Sequence, residues 1–168
     1  MSSAQISGEA VLLRPVERGV ARTLLGGDRP AGIDFADGYP SPFSLEVMDL
    51  LAGPRSASVQ SFNPWFVVRA HDEVVIGEIG YSFDEESATA SLGYALVEPC
   101  WGHGHATDAL RALIAHLRGD PRVRRLTSQT PVGHVASRRV MEKAGMLLSD
   151  ERLGDLDGEM VEMAIYEA

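Results

Sequence analysis

The run Trp101-Gly102-His103-Gly104-His105-Ala106-Thr107 is the part of the chain best suited to hold a charged ligand. Gly102 and Gly104 carry no Cβ, so a ligand can come close to the backbone, and successive N–H groups can converge on phosphate oxygens. Apolar residues at spacings of three and four follow at once, at Ala106, Ala109, Leu110, Leu113, Ile114 and Leu117. That stripe predicts a helix. Its first N–H donors have no partner of their own, and together with the positive end of the helix dipole they complete an anion site.

Three ligand classes use such a loop. A nucleoside triphosphate loop needs Gly-Lys followed by Ser or Thr, and the chain has none. A dinucleotide fingerprint needs glycine or alanine where Thr107 stands and an acidic residue closing the next strand, which ends instead at Thr130. The pyrophosphate of coenzyme A asks only for a short loop and a helix start. Cys100, His103 and His105 also invite a zinc reading. They supply three donors, which must diverge if the backbone wraps a phosphate, and His116 lies about 16 Å further along the helix than His105. The expectation is no metal, with His103 and His105 touching phosphate or the edge of the ligand.

Glu78 is the candidate general base, flanked in a strand by Ile76 and Gly80. Turned inward, its carboxyl group would have a raised pKa; turned outward, it would be solvated. Asp84, Glu85 and Glu86 read as a solvated turn. The loop from Asp28 to Phe43, with Asp34, Asp37, Tyr39 and Phe43, is a candidate substrate pocket whose acidity would suit a cationic group. Cys100 is a packed side chain or a free thiol beside the site.

The elements that must position these residues follow from pattern. Glu9 to Val16 predicts a strand and Glu17 to Leu25 a short helix stopped by Gly26-Gly27. A second short helix is expected from Ser44, as N-cap, to Leu51. Trp65 to Ala70 and Val74 to Phe83 form a hairpin pattern, and Thr89 to Val97 continues the meander. Beyond the helix starting near Ala106, Val123 to Thr130 is a strand. A second amphipathic helix buries Val135, Ala136, Val140, Met141 and Ala144 and ends at Gly145. Two closing strands, Met146 to Leu153 and Glu159 to Tyr166, are joined by Gly154 to Gly158. The whole is one mixed α/β domain over residues 1–168, an α+β arrangement of about seven mostly antiparallel strands and four helices. The strands on either side of the long helix should be parallel.

An apolar fraction of 45% and a charged fraction of 23% fit a globular domain rather than disorder. The net charge of -9 speaks against non-specific nucleic-acid binding. Between Ser91 and Leu148, however, 8 basic side chains face 4 acidic ones, so the best local field for a polyanion coincides with the glycine loop. The single cysteine excludes an intrachain disulfide, and no window reaches the apolar length of a membrane span. The expected location is cytoplasmic.

The stretch from Leu92 to Leu110, Leu92-Gly93-Tyr94-Ala95-Leu96-Val97 and then Trp101 to Leu110, resembles the coenzyme-binding motif of the GNAT superfamily of N-acetyltransferases. Within it the resemblance is to the branch of ribosomal-protein N-terminal (RimJ/RimL-type) acetyltransferases. The run His134-Val135-Ala136-Ser137-Arg138-Arg139-Val140-Met141-Glu142-Lys143-Ala144-Gly145-Met146 is similar to that branch's second motif. Two departures stand out: Trp101 replaces the superfamily's wider Gln or Arg, and His134 replaces an Asn that contacts the coenzyme.

The resemblance implies the acyl-CoA N-acyltransferase fold and transfer of an acetyl group from acetyl-CoA to a primary amine, of a small molecule or a peptide N-terminus, by direct attack. It implies that Trp101 to Thr107 and His134 hold the coenzyme, and that the backbone of Ala95, Leu96 and Val97 pairs with its pantetheine arm. A bulge would aim the Val97 N–H at the acetyl oxygen. Ser137 would hydrogen-bond or protonate the leaving thiolate, although its hydroxyl could equally cap the helix. Dimers occur in that branch, so a homodimer is an allowed expectation. The rival readings are a coenzyme-binding sensor without catalysis and a nucleotide-binding protein.

Overall fold

A computed structural model describes residues 5–54 and 63–168. Among these residues eight strands form one sheet in the order β1-β2-β3-β4-β5-β6-β8-β7. They are β1 (Ile6–Ser7), β2 (Val11–Pro15), β3 (Asn63–Arg69), β4 (Val74–Asp84), β5 (Thr89–Leu96), β6 (Arg125–Pro131), β7 (Leu147–Leu156) and β8 (Glu159–Glu167). Four helices accompany them: α1 (Arg18–Leu25), α2 (Pro42–Ala52), α3 (His105–Arg118) and α4 (Val135–Lys143). All strand pairs are antiparallel except β5 with β6, which the α3 crossover makes parallel. No helix among the described residues is long and apolar enough to cross a membrane.

The sheet separates two layers. Trp65 on β3 stacks on Tyr81 and meets His116 of α3 edge-on, so the Trp65, Ile79 and Tyr81 side chains face α3. The next residues along, Phe66 and Glu78, pair across the strands and face the other way. There Phe66 packs against Phe35 and Tyr39 of the loop that leads into α2. The helices α1 and α2 pack on each other, burying Ala21 and Leu24 from one and Val47 and Met48 from the other.

Several elements differ from their sequence patterns. A short strand, β1, precedes the first expected one and raises the count to eight; two residues are too few to show alternation. The helix α2 begins three residues earlier than expected, at Pro42, with Ser41 as its N-cap and Ser44 at the third helical position. The two serines form a capping box in which each hydroxyl accepts from the other's N–H, so Ser44 carries the role usually taken by Glu or Gln. Finally, β7 and β8 run on to close at Asp157-Gly158, both at positive φ. That is the two-residue hairpin an Asp-Gly pair favours, and Gly154 lies inside a strand.

The helix α3 is anchored at its base by Asp108. This carboxylate accepts the N–H groups of Glu9, Ala10 and Val11 at 2.9, 2.7 and 3.0 Å, fixing the β1–β2 turn against the first turn of the helix. The approach is close enough that a Cβ on Gly8 would stand 2.6 Å from an Asp108 oxygen. Replacing Asp108 by Ala leaves three N–H groups without their acceptor and should cost roughly 2–4 kcal/mol. The expected readout is a melting temperature about 5–15 °C lower with faster amide exchange at Ala10 and Val11. Unchanged exchange at those two amides would refute the anchoring role.

Candidate active site

The site begins where β5 and β6 part. They pair only from Thr89–Leu92 against Arg125–Ser128, while β5 continues to Leu96 and β6 to Pro131 along β8. The ladder of β5 with β4 stays in register from Thr89–Asp84 to Leu96–Gly77. One step beyond, the Val97 N–H donates to the Ile76 carbonyl at 3.0 Å. In an antiparallel ladder, alternate residues turn their backbone groups to the same neighbour, so Gly93, Ala95 and Val97 are committed to β4. Tyr94 and Leu96 turn theirs toward the gap. Two bonds agree with this: the Ser128 hydroxyl donates to the Leu92 carbonyl at 3.0 Å, and the Trp101 indole N–H to the Leu96 carbonyl at 2.7 Å.

The expectation for Val97 is therefore corrected. Its N–H is spent on β4, and the N–H that faces the gap beside it belongs to Leu96. Ala95, likewise, pairs with β4 rather than with anything in the gap. The β4–β5 ladder carries no register shift where the bulge was expected; a bulge lies instead between β3 and β4, whose register shifts between Val67 and Val68, leaving Ile76 as the extra residue. There β4 is pressed against β5, and a Cβ on Gly77 would lie 2.1 Å from the Ala95 carbonyl oxygen.

At the end of the gap stands the α3 N-terminus. Its N-cap is Gly104 at φ 80°, without a side-chain cap, and the first backbone bond into the helix is Asp108 N–H to Gly104 carbonyl. The N–H groups before Asp108 are thus left for a ligand. Gly102, at φ 78°, and Gly104 have open space where a Cβ would stand. His103 and His105 stack with ring centroids 5.9 Å apart, and the buried Nδ1 of His105 has no hydrogen-bond partner. Burial, then the nearby His103 and Arg69, push the His105 pKa below the usual imidazole value, so the ring is neutral at neutral pH. An uncapped helix start, two glycines opening on space and an orphaned imidazole nitrogen fit the pyrophosphate of coenzyme A.

Trp101 is exposed, and Thr107 is buried. Cys100 is buried in the core cluster. Among the described residues no three His, Cys, Asp or Glu side chains gather where they could hold a metal ion.

Across the gap, α4 presents Ser137. The Tyr94 hydroxyl donates to the Ser137 carbonyl at 3.1 Å and lies 3.0 Å from the Ser137 hydroxyl. Burial raises the Tyr94 pKa, so its proton stays in place. The capping task belongs instead to His134, whose Nδ1 accepts the Ser137 N–H at 3.3 Å. That leaves only Nε2 of His134 for a ligand and frees the Ser137 hydroxyl from the cap. Tyr94 was invisible as a partner in the sequence, because nothing local links it to a helix 43 residues away.

On the opposite face of the sheet, Glu78 is buried at 2% exposure, so strand alternation turns it inward rather than to solvent. One carboxylate oxygen accepts from the Tyr39 hydroxyl and the other from the Ser44 hydroxyl, the latter at 3.0 Å. Burial raises its pKa to about 7 against the lowering effect of those two bonds. Of the expected acceptor-pocket residues, Tyr39 is buried and bound to Glu78, while Asp37 and Phe43 are exposed. The sequence marks Ser44 as a helix cap, and nothing local signals its bond to Glu78.

Residues 11–147 match the family model of the acetyltransferase (GNAT) domain. No protein of curated function matches the sequence. Among solved structures, a GNAT-family acetyltransferase of Bacillus anthracis is similar at 16% identity and TM-score 0.70, with 98% of each chain covered. The ribosomal-protein alpha-N-acetyltransferase RimL in complex with coenzyme A is similar at 16% identity and TM-score 0.72, with 98% of this chain and 97% of that one covered. An acetyltransferase of Salmonella typhimurium that modifies the N-terminal serine of a ribosomal subunit protein is similar at 18% identity and TM-score 0.72, with 98% of each chain covered. At these identities the likeness speaks for the shared fold, whereas the domain match spans most of the chain: it belongs to the GNAT acetyltransferase family and is an acetyl-CoA-dependent N-acetyltransferase.

Proposed function

We propose that the protein acetylates a primary amine, foremost the N-terminal amine of a peptide or protein, by direct attack with no acetyl group passed through the enzyme. The observation that carries this reading is the gap between β5 and β6, with donors from Leu96 and the α3 start on it and the buried carboxylate of Glu78 one strand away. The choice of an N-terminal amine draws support from similar structures whose enzymes modify ribosomal proteins, and the acidic side chains of Asp34 and Asp37 suit a cationic acceptor. Acetyl-CoA supplies an acetyl group activated as a thioester.

Each task then falls to a residue. The backbone N–H groups from Gly102 to Thr107, with His103, His105 and Nε2 of His134, hold the coenzyme. Tyr94 and Leu96 offer backbone groups to the pantetheine arm, and the Leu96 N–H polarises the acetyl carbonyl. Glu78 receives the amine proton through the Tyr39 hydroxyl, which already donates to it. Tyr94 anchors to the Ser137 carbonyl, so the Ser137 hydroxyl can turn its proton to the departing sulfur.

Thiol release from acetyl-CoA, measured with peptides beginning in serine, peptides with other N-termini and small primary amines, tests the function. Acceptor-dependent release is expected, strongest with a peptide. Tight coenzyme A binding with release to no acceptor would replace this reading with that of a sensor, and protection from unfolding by ATP or NAD but not coenzyme A would favour a nucleotide-binding protein.

Glu78→Gln should lower kcat by about a hundredfold or more. The base works only as carboxylate, so the wild-type rate falls as pH drops through about 7, a dependence the variant should lack. The raised pKa also means that the carboxyl group's contribution to stability is complete below its ordinary range and lost as pH rises through about 7. The Gln variant should therefore show a flatter melting profile from mildly acid to mildly alkaline pH. An unchanged rate and pH profile would remove Glu78 from the mechanism.

Ser137→Ala should reduce turnover roughly tenfold, about 1.4 kcal/mol of barrier, with little change in the KM for acetyl-CoA. A normal turnover would leave Ser137 as a packing residue.

A further inference from the structure

A base this deeply buried must return its proton to solvent after each turnover, and its surroundings leave few routes. From β3 it faces Phe66 and from β5 Ala95, both apolar. From the loop before α2 it faces Tyr39, which is itself buried and whose carbonyl accepts from the Arg29 guanidinium at 2.8 Å. From α2 it faces Ser44, also buried. The Ser44 hydroxyl lies 2.9 Å from that of Ser41, where either oxygen can be the donor, and Ser41 is half-buried. Ser41 is thus the outermost and least buried hydroxyl of the chain leading from Glu78.

We infer that Ser44 and Ser41 form a proton-release path from Glu78 to solvent at the N-terminus of α2. This rests on Glu78 being the base, and it deepens that reading by giving the base a means of regeneration. The two serines act through Glu78 and not on the substrate.

The hydrogen bonds balance in both states of the carboxyl group. With Glu78 ionised, Ser44 Oγ–H donates to the carboxylate, Ser41 Oγ–H donates to Ser44 Oγ, and each serine oxygen accepts the other's backbone N–H. With Glu78 protonated, a half-turn of the carboxyl group presents its O–H to Ser44 Oγ, while the Ser44 hydroxyl turns to donate to Ser41 Oγ and the Ser41 hydroxyl turns to donate to water. The Glu78 O–H bond breaks as Ser44 gains that proton, the Ser44 proton passes to Ser41 Oγ, and the Ser41 proton passes to water. Each serine ends with one proton and Glu78 is a carboxylate again. No oxygen accepts more than its two lone pairs allow at any stage, so the capping box that holds the helix end can carry the transfer without opening.

The test separates capping from conduction. Asn caps a helix as well as Ser does, but its amide passes no proton, whereas Thr keeps the hydroxyl. Ser41→Asn, Ser41→Thr and Glu78→Gln are compared with wild type by time-resolved infrared spectroscopy of the free protein after a pH jump, the Glu78 carboxyl band being the one missing in Glu78→Gln. Ser41→Asn should protonate and deprotonate Glu78 at least tenfold more slowly with an unmoved titration midpoint, and Ser41→Thr should restore the rate. In steady state with acetyl-CoA and a serine-N-terminal peptide, Ser41→Asn should lower kcat at unchanged KM, enlarge the solvent deuterium isotope effect and recover with added imidazole buffer.

A wild-type exchange rate in Ser41→Asn overturns the path. If Glu78→Gln is slow in turnover while Ser41→Asn matches wild type in both measurements, the path alone falls. If Glu78→Gln turns over normally, the base assignment falls and the path with it.

Discussion

Two parallel strands that separate after four paired residues impose the constraint on which the rest of this structure depends. Leaving the ladder exposes backbone groups that the interior cannot tolerate unpaired. The protein satisfies some of them with side chains: Ser128 takes the Leu92 carbonyl and Trp101 the Leu96 carbonyl. What those side chains leave, the N–H of Leu96 and the backbone groups of Tyr94, is a short strand edge of the kind that pairs with an extended ligand. In the proposed mechanism the pantetheine arm is that ligand. The same separation makes room for Tyr94 to reach across to Ser137, so the strand proposed to bind also holds the hydroxyl proposed to serve the leaving group.

The sheet keeps the two kinds of chemistry apart. On the α3 face lie the dipole and the open N–H donors, an environment for negative charge. On the other face, one residue along β4, a carboxylate sits among Phe66, Ala95 and two hydroxyls with a pKa near 7 because burial outweighs the hydrogen bonds that favour its charge. A carboxylate open to the coenzyme's phosphates would repel them. Placed behind the strand, it is still only one cross-strand step from Ala95 and hence beside the Leu96 N–H.

The sequence showed the frame and the glycine loop, and the reasons are local. The period of the α3 stripe, Gly102 and Gly104, and the β-branched and aromatic runs of β3 and β4 act through neighbours close in the chain, so pattern reveals them. Boundaries drifted where a residue served two ends. Ser44 looks like an N-cap because Ser often is one, yet with Ser41 and Pro42 ahead of it the cap falls three residues earlier. The Val97 expectation failed for a different reason. Which N–H faces the gap depends on the parity of the β4–β5 register, and a one-residue change in a ladder reverses every direction along it. The contacts of Tyr94 with Ser137, Tyr39 with Glu78 and Asp108 with the β1–β2 turn join elements 39 to 99 residues apart, and composition and spacing carry no trace of such pairs.

One placement, Gly77, links the bulge to the site. An ordinary strand tolerates a side chain at every position, but here Ile76 is an extra residue on β4 and the strand closes on β5 until only glycine fits against the Ala95 carbonyl. A glycine inside a strand pattern signals either a bulge or a close backbone approach, and at Gly77 it is both. A larger residue would push β5 away from β4, and the first bond to yield would be that of the Val97 N–H with Ile76, one step further along the same ladder. Freed from β4, Val97 would then compete with Leu96 for the role proposed for it, that of donor to the acetyl oxygen. The choice between the two N–H groups is therefore made on the neighbouring strand, by a bulge and a missing side chain.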